Sequence, residues 1–321
     1  MADANTTGLP LEAVAGTADS QATEAFALLG DGTRLAVLLA LWEVNDPPAD
    51  DWAVPFSRIF ERIDYDDPGN LRYHLEKLEG QFIRHTEGEG YELRVPGLKL
   101  VRAVIAGAGV QDETREAVEI DQPCPFCGAP TAISYREGVV FWACTECEGP
   151  TPGRTDDGML TATLFEPAGV TDRSPEELRA ASMVAIWRRT GTLFDGLCPA
   201  CSGPVDGWLE GCSDHAPTGV CEDCGTRAVA WVRFQCRVCK NFATTTPKAL
   251  ALYHPAVVAF YHDHGVSMRV HADDFESVKR VYEFMHDHDI ELVAEDPPRV
   301  AVTAALDGDE VRLTFDETVS V

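Results

Sequence analysis

Apolar positions recur every three or four residues through the first third of the chain and predict helices there. QATEAFALLG and DGTRLAVLLALWE read as two helices, with Leu28, Leu29, Leu35, Leu38, Leu39 and Leu41 supplying an inward face. Asp31 stands where a side-chain cap for the second belongs. After a Pro- and Asp-rich loop (45–55), PFSRIFERI makes a third short helix. Asp67 and Pro68 then serve as N-cap and first-turn residues for GNLRYHLEKLEGQF, whose Leu71, Leu75 and Leu78 fall at i, i+4 and i+7. FIRHTEGEGYELRV reads as a hairpin with a Gly-rich tip. GLKLVRAVIAGAG closes the region as an apolar helix over 97–108, whose exposed Leu98, Val101 and Ile105 offer a face for joining two protomers.

Beyond residue 120 the period drops to two. TAISY and VVFWAC are strands around the turn Arg136-Glu137-Gly138, and MLTATLFEP suggests another short strand. SPEELRAASMVAIWRRTGTLFDG is a helix opened by Ser174, Pro175 and the capping-box partner Glu177, with Arg188 and Arg189 favouring its C-terminal dipole. Near the end, VVAFYHDHGV (257–266) recurs 24 residues later as VYEFMHDHDI (281–290). Each copy carries a His-x-His pair, His262/His264 and His286/His288, where a helix should stop. Residues two apart on a helix diverge, so neither pair suits one metal ion; histidine at a helix end favours the dipole instead. RVAVTAALDGDEVRLTF is a hairpin turning at Asp307-Gly308.

Cysteine organises the middle of the chain. Ten of the eleven form Cys-x2-Cys pairs, and Cys212 stands three residues before His215. Two such turns complete a tetrahedral zinc site. Cys124, Cys127, Cys144 and Cys147 lie at one end of the first hairpin and make a zinc ribbon. For the rest, strand direction decides. SGPVDGWLEG runs ~30 Å outward at ~3.3 Å per residue, and the few residues between His215 and Cys221 cannot return. GTRAVAWVRFQ carries the last pair back. One site therefore takes Cys198, Cys201, Cys236 and Cys239, and the other, at an exposed far tip, takes Cys212, His215, Cys221 and Cys224. Three closed Zn²⁺ sites per chain are expected, structural because no ligand position is left for water. Catalytic motifs such as HExxH are missing, so no enzymatic activity is expected.

The resulting fold class is α+β. A winged helix-turn-helix (20–110) precedes a zinc ribbon (121–150), a connecting helix (174–195), a double zinc-binding ribbon (196–245) and a small acidic α+β domain (250–321). The chain's 53 acidic and 26 basic side chains give a formal net charge of −27. Five of the basic residues are Lys and 21 Arg. That balance suits multimolar salt, where a Debye length of ~3 Å makes local charge matter more than global charge. Locally, residues 68–86 carry Arg72, Lys77 and Arg84 against Glu76 and Glu79, a net of +1. The longest apolar run, Leu35 to Trp42, is far short of the ~20 residues that span a bilayer, and the N-terminus lacks a secretion signal. A soluble cytoplasmic protein without a membrane partner is expected.

LLGDGTRLAVLLAL and YDDPGNLRYHLEKLEGQFIRHTEGEGYEL resemble the ArsR-type winged-helix regulators abundant in halophilic archaea, over residues 20–110. The CPxC ribbons, ALYHPAVVAFYHDHGV and EDPPRVAVTAALDGDEVRLTFDETVSV resemble longer halophile members. Metal-sensing members carry cysteine on the helix before recognition; PFSRIFERI has none, so a metal response there is not implied. In a winged helix the helix opened by Pro68 enters the major groove, and Asn70, Arg72, Tyr73 and Lys77 are its groove-facing candidates, with Arg84, His85 and Thr86 near the wing. The resemblance implies a homodimeric regulator that binds duplex DNA, with other transcription proteins as further partners. The alternative is a zinc-ribbon adaptor of the transcription machinery without sequence-specific DNA binding.

Overall fold

Asp31 opens helix α1 (Gly32–Val44) by accepting the Thr33 N–H at 2.8 Å. The computed structural model describes residues 24–25, 27–45, 52–63, 66–107, 113–156 and 158–321. The chain divides after Val110 into two compact units. In the first, the expected helix at 21–30 is described only in part, with residues 24, 25 and 27–29 helical. Helices α2 (Phe56–Arg62) and α3 (Pro68–Leu78) follow; Asp67 caps α3 by accepting from Gly69 and Asn70 N–H. Strands β1 (Ile83–Thr86) and β2 (Gly90–Leu93) form an antiparallel hairpin, and α4 spans Val95–Ile105. Val37, Leu38, Leu41, Ile59, Leu71, Leu75, Leu78 and Ile83 make the core. Leu35 is only half-buried.

Two details of this unit differ from the sequence-based expectation. Val101, expected on an exposed face, is fully buried. The reason is Gly97 on the same face of α4, where an added Cβ would stand 2.4 Å from the Phe82 carbonyl oxygen. That close approach turns the Gly97/Val101 face inward, while Val95 at the start of α4 and Ile105 at its last residue stay exposed. Val54, expected in a loop, exchanges two backbone hydrogen bonds with Tyr91 and adds a short third rung beside the hairpin.

The second unit begins with a four-stranded antiparallel sheet in the order β3 (Arg115–Ile120), β4 (Thr131–Arg136), β5 (Val139–Cys144), β6 (Met159–Leu164). Glu137 and Gly138, both left-handed, make the β4–β5 turn. Helix α5 (Pro175–Phe194) starts with the expected capping box between Ser174 and Glu177. It buries Arg179 completely, with the guanidinium 4.1 Å from the Trp142 ring centroid and Nε donating to Gln122 Oε1 at 3.1 Å. At the far end of α5, Arg189 donates to Asn241 Oδ1 at 2.6 Å. The helix thus ties both cysteine-rich sheets together.

A three-stranded sheet follows, β7 (Val205–Gly211), β8 (Ala230–Cys236) and β9 (Phe242–Thr245) in that order. After short α6 (Pro247–Ala251), helices α7 (Pro255–Asp263) and α8 (Phe275–Asp287) lead into β10 (Asp289–Glu295), β11 (Pro298–Leu306) and β12 (Asp309–Phe315), an antiparallel sheet. Inner-face Leu209, Val232 and Phe234 share one core with Val300, Val302, Leu313 and Phe315. The acidic C-terminal segment and the second cysteine-rich module are therefore packed as one body. No helix among the described residues is long and apolar enough to cross a membrane.

Candidate functional site

The cysteine turns follow one local design. In four of them the residue after the second cysteine is left-handed: Gly128, Ser202, Gly225 and Lys240. Its N–H donates back to the carbonyl of the first cysteine, as from Gly128 to Cys124 at 2.9 Å and Gly225 to Cys221 at 2.8 Å. The turn thereby aims backbone N–H groups at sulfur. Val238 and Cys239 N–H lie 3.4 and 3.5 Å from Cys236 Sγ. The Cys144 turn reaches the same end without a left-handed residue directly after its second cysteine, with Cys147 N–H 3.3 Å from Cys144 Sγ.

Antiparallel pairing then brings the turns together. The β4–β5 hairpin sets Cys144 opposite Thr131, so Cys124, Cys127, Cys144 and Cys147 converge at one end of the sheet. Pairing of β7 with β8 sets Val205 opposite Cys236 and Gly211 opposite Ala230. One end gathers Cys198, Cys201, Cys236 and Cys239; the other gathers Cys212, His215, Cys221 and Cys224. These are the three sets that strand direction predicts. In each, all ligand atoms lie within 4.8 Å of one another.

The spacing suits a metal ion. Sulfur atoms stand 3.7 Å apart for Cys124/Cys147, 3.5 Å for Cys127/Cys144, 3.6 Å for Cys198/Cys239 and 3.5 Å for Cys201/Cys236. A tetrahedron with metal–sulfur arms of ~2.3 Å has edges near ~3.8 Å, whereas a disulfide would need ~2.05 Å. His215 Nδ1 is 3.3 Å from Cys224 Sγ. Four protein ligands fill each set, so a bound ion would be held without an open position. At least one thiol in each set is drawn toward the thiolate that a metal requires. Burial works to raise Cys198, but N–H groups of Cys201 and Ala200 bring it down to about 6. The Cys224 N–H leads in bringing Cys221 down to about 7.

The mixed Cys3His set is not the exposed tip that its sequence position suggests. Cys221 is buried and Cys212, His215 and Cys224 are half-buried, whereas the other two sets each contain an exposed cysteine. Two arginines explain the difference. Arg154 donates to the Cys224 carbonyl at 2.8 Å. Arg227 donates from Nε to the Gly149 carbonyl at 3.1 Å and lies 5.7 Å from the Phe126 ring centroid. The loop beyond β7 is thereby clamped against the first cysteine module. Neither arginine has a local sequence signal, because the contacts join residues 70 or more positions apart.

The His-x-His pairs gather no metal set among the described residues. His264 and His288 are the C-cap residues of α7 and α8. His264 contacts the Phe260 carbonyl and Asp309, while His288 Nε2 is 2.8 Å from Tyr261 Oη.

Comparison with known families falls on the same division as the two compact units. A model described as a domain of unknown function (DUF7351) matches residues 121–321, more than half of the chain. The chain belongs to the DUF7351 family. All twelve metal-ligand candidates lie within the DUF7351 match. A second model, a domain of unknown function (DUF7347), matches residues 22–104. Neither a curated protein nor a solved structure matches the chain.

The remaining candidates precede the DUF7351 region, on α3 and the hairpin. Pro68 is the first residue of α3, and Asn70, Arg72, Tyr73 and Lys77 are all exposed. At ~100° per residue, Asn70, Tyr73 and Lys77 share one flank, and Arg72 lies on the other with Glu76 between them. Lys77 Nζ stands 5.4 Å from the Tyr73 ring centroid, and the Arg72 guanidinium 5.3 Å from that of Phe56. On β1 the candidates separate. Arg84 pairs with Glu92 at 2.5 Å, while His85 stacks on Tyr91 at 4.3 Å. Thr86, paired with Gly90 next to the tip, is half-buried.

Proposed function

We propose that the chain is a DNA-binding transcriptional regulator, a winged-helix protein of the ArsR-like kind, whose three tetrads hold structural Zn²⁺. The carrying observation is α3: a capped helix anchored by Leu71, Leu75 and Leu78, with Asn70, Arg72, Tyr73 and Lys77 projecting outward before a two-stranded hairpin. Asn and Arg offer bidentate contacts to base edges and Lys offers phosphate contact. The local net charge of +1 in a chain of −27 supports the assignment. Homodimerisation would draw on the exposed apolar residues at the two ends of α4, Val95, 66% exposed, and Ile105, 39% exposed. A cytoplasm rich in salt accounts for the acidity elsewhere.

A gel shift or footprint on genomic fragments in molar KCl tests this reading. Asn70→Ala and Arg72→Ala should each weaken the sequence-specific complex by about 5- to 100-fold, the value of a good base contact. Unchanged binding in both variants, or no sequence-specific complex at all, would overturn it. One observation favours the adaptor reading instead: Glu76 sits in the middle of the exposed arc, and Arg84 is neutralised by Glu92. Under that reading no specific complex forms.

A further inference from the structure

From Cys224 to His262 the chain contains no Asp or Glu, although it carries 53 of them in all. The same stretch holds Arg227, Arg233, Arg237, Lys240 and Lys248. It includes β8 and β9, and its outward side is not the metal site. Cross-strand pairs share a face of a sheet. Trp208 is opposite Arg233, Arg233 opposite Thr244, and Gln235 opposite Phe242. Val232 and Phe234 point into the core, so this second set faces outward. Phe242 is 46% exposed on the last strand of the sheet. Its ring centroid is 6.4 Å from that of Trp208 and 5.9 Å from the Arg233 guanidinium.

The acids on this face are already engaged. Glu210 accepts from Arg233 at 2.6 Å and from the Trp208 indole at 3.0 Å, and Asp206 is held by Arg237. Exposed Lys240, two residues before Phe242, has no acidic partner among the described residues. Lys240 occupies the left-handed turn position that glycine fills in the turns after Cys127 and Cys224.

We propose that this outer face of the β7–β9 sheet binds single-stranded nucleic acid. Exposed Phe242 and half-buried Trp208 give bases a stacking platform on the sheet, and unpaired Lys240 beside them takes a phosphate. Duplex DNA fits less well, because its bases are not free to stack on Phe242 and Trp208. In molar salt the phosphate contacts are screened and stacking carries more of the affinity. Phe242 and Trp208 are the stacking residues, Gln235 offers polar contact to a base edge, and Lys240 supplies charge. This surface is independent of α3.

The test uses the full chain and labelled oligothymidylate and oligouridylate a dozen nucleotides long, followed by fluorescence anisotropy in molar KCl. Binding to either strand is expected. Phe242→Ala and Trp208→Ala should each weaken it by about tenfold, and Lys240→Glu should weaken it most at the lower end of the salt range. All three should retain the parent's metal content and thermal melt, and Asn70→Ala should bind the oligonucleotides normally. No binding to either oligonucleotide would overturn the proposal, as would binding indifferent to Phe242→Ala and Lys240→Glu. Loss of self-association in these variants without any oligonucleotide binding would also overturn it, assigning the face to an acidic segment of a second copy.

Discussion

Residues 32–105 contain no cysteine and bury Val37, Leu38, Leu41, Leu71, Leu75 and Leu78 in a continuous aliphatic core. Among the described residues, the buried apolar cluster around the first cysteine set comprises Cys124, Ala129 and Cys144, with Phe126, Cys147 and Leu160 partly covered. The contrast shows what each region asks of its sequence. A helical unit needs one apolar stripe per helix, whereas knuckle loops too short to bury such a stripe need a bound ion. Chelation should therefore separate the regions, and it is the largest effect expected. A Zn²⁺ ion held in a tetrad would contribute on the order of 10 kcal/mol. Opening the tetrads at the two ends of β7 and β8 also frees Leu209, Val232 and Phe234 from the shared core. Hydrogen exchange with a strong chelator should show protection lost across residues 124–245 and kept across 32–105. Equal loss in both regions, or protection kept after all metal has left, would contradict the contrast.

Legibility follows the same line. Helices α1 to α3 were readable because their apolar positions, and the Asp31 and Asp67 caps of α1 and α3, are local, and the tetrads because spacing and strand direction leave one workable partition. What escaped depends on distant partners. Strand β3 is exposed at every position except Ile120 and has no alternation to read. Strand β9 is a short Thr-rich edge held by β8. Strand β7 meets the C-terminal sheet at Gly211, where an added Cβ would stand 2.7 Å from Leu292 Cδ1, a contact between residues 81 positions apart. Arg179 sits in an ordinary helical context, and only the fold shows it buried between Trp142 and Tyr282.

The two His-x-His pairs sharpen the comparison on a smaller scale. They occupy equivalent helix ends, yet their surroundings differ. His264 is pushed up, first by its hydrogen bond to the Phe260 carbonyl and then by Asp309. His288 is pushed down to about 4, first by burial and then by the Lys248 charge on α6; its other neighbour is Tyr261 on α7. Between its unfolded value of ~6.5 and about 4, His288 binds a proton only when the chain unfolds. Its contribution is therefore full above ~6.5 and lost as pH falls toward 4, a change of about 3 kcal/mol at most. His264 works in the opposite sense, stabilising at low pH and losing that contribution as pH rises through its raised value. Urea unfolding against pH, with metal in excess, should show a shallower acid slope for His288→Gln than for the parent. An unchanged slope would remove His288 as its source.

The smallest expected effect concerns the clamp between two tetrads. Arg227 gives the Gly149 carbonyl an N–H and covers Phe126, which sits between ligands Cys124 and Cys127. Its own backbone N–H donates to the Pro150 carbonyl at 2.9 Å and would survive truncation of the side chain. Arg227→Ala thus removes one charged hydrogen bond and one cation–π contact while leaving every ligand in place. Such contacts are worth roughly 1–3 kcal/mol together, and partial exposure places the expected value near the low end. The loss should fall on the Cys212, His215, Cys221 and Cys224 set, because its loop is then held mainly by Arg154. In a competitive chelator titration one metal equivalent should leave the variant at a several-fold lower chelator concentration, with the other two unmoved. A uniform shift of all three would mean that Arg227 stabilises the whole unit rather than joining two centres. No shift would mean that the mixed site is held by its ligands alone.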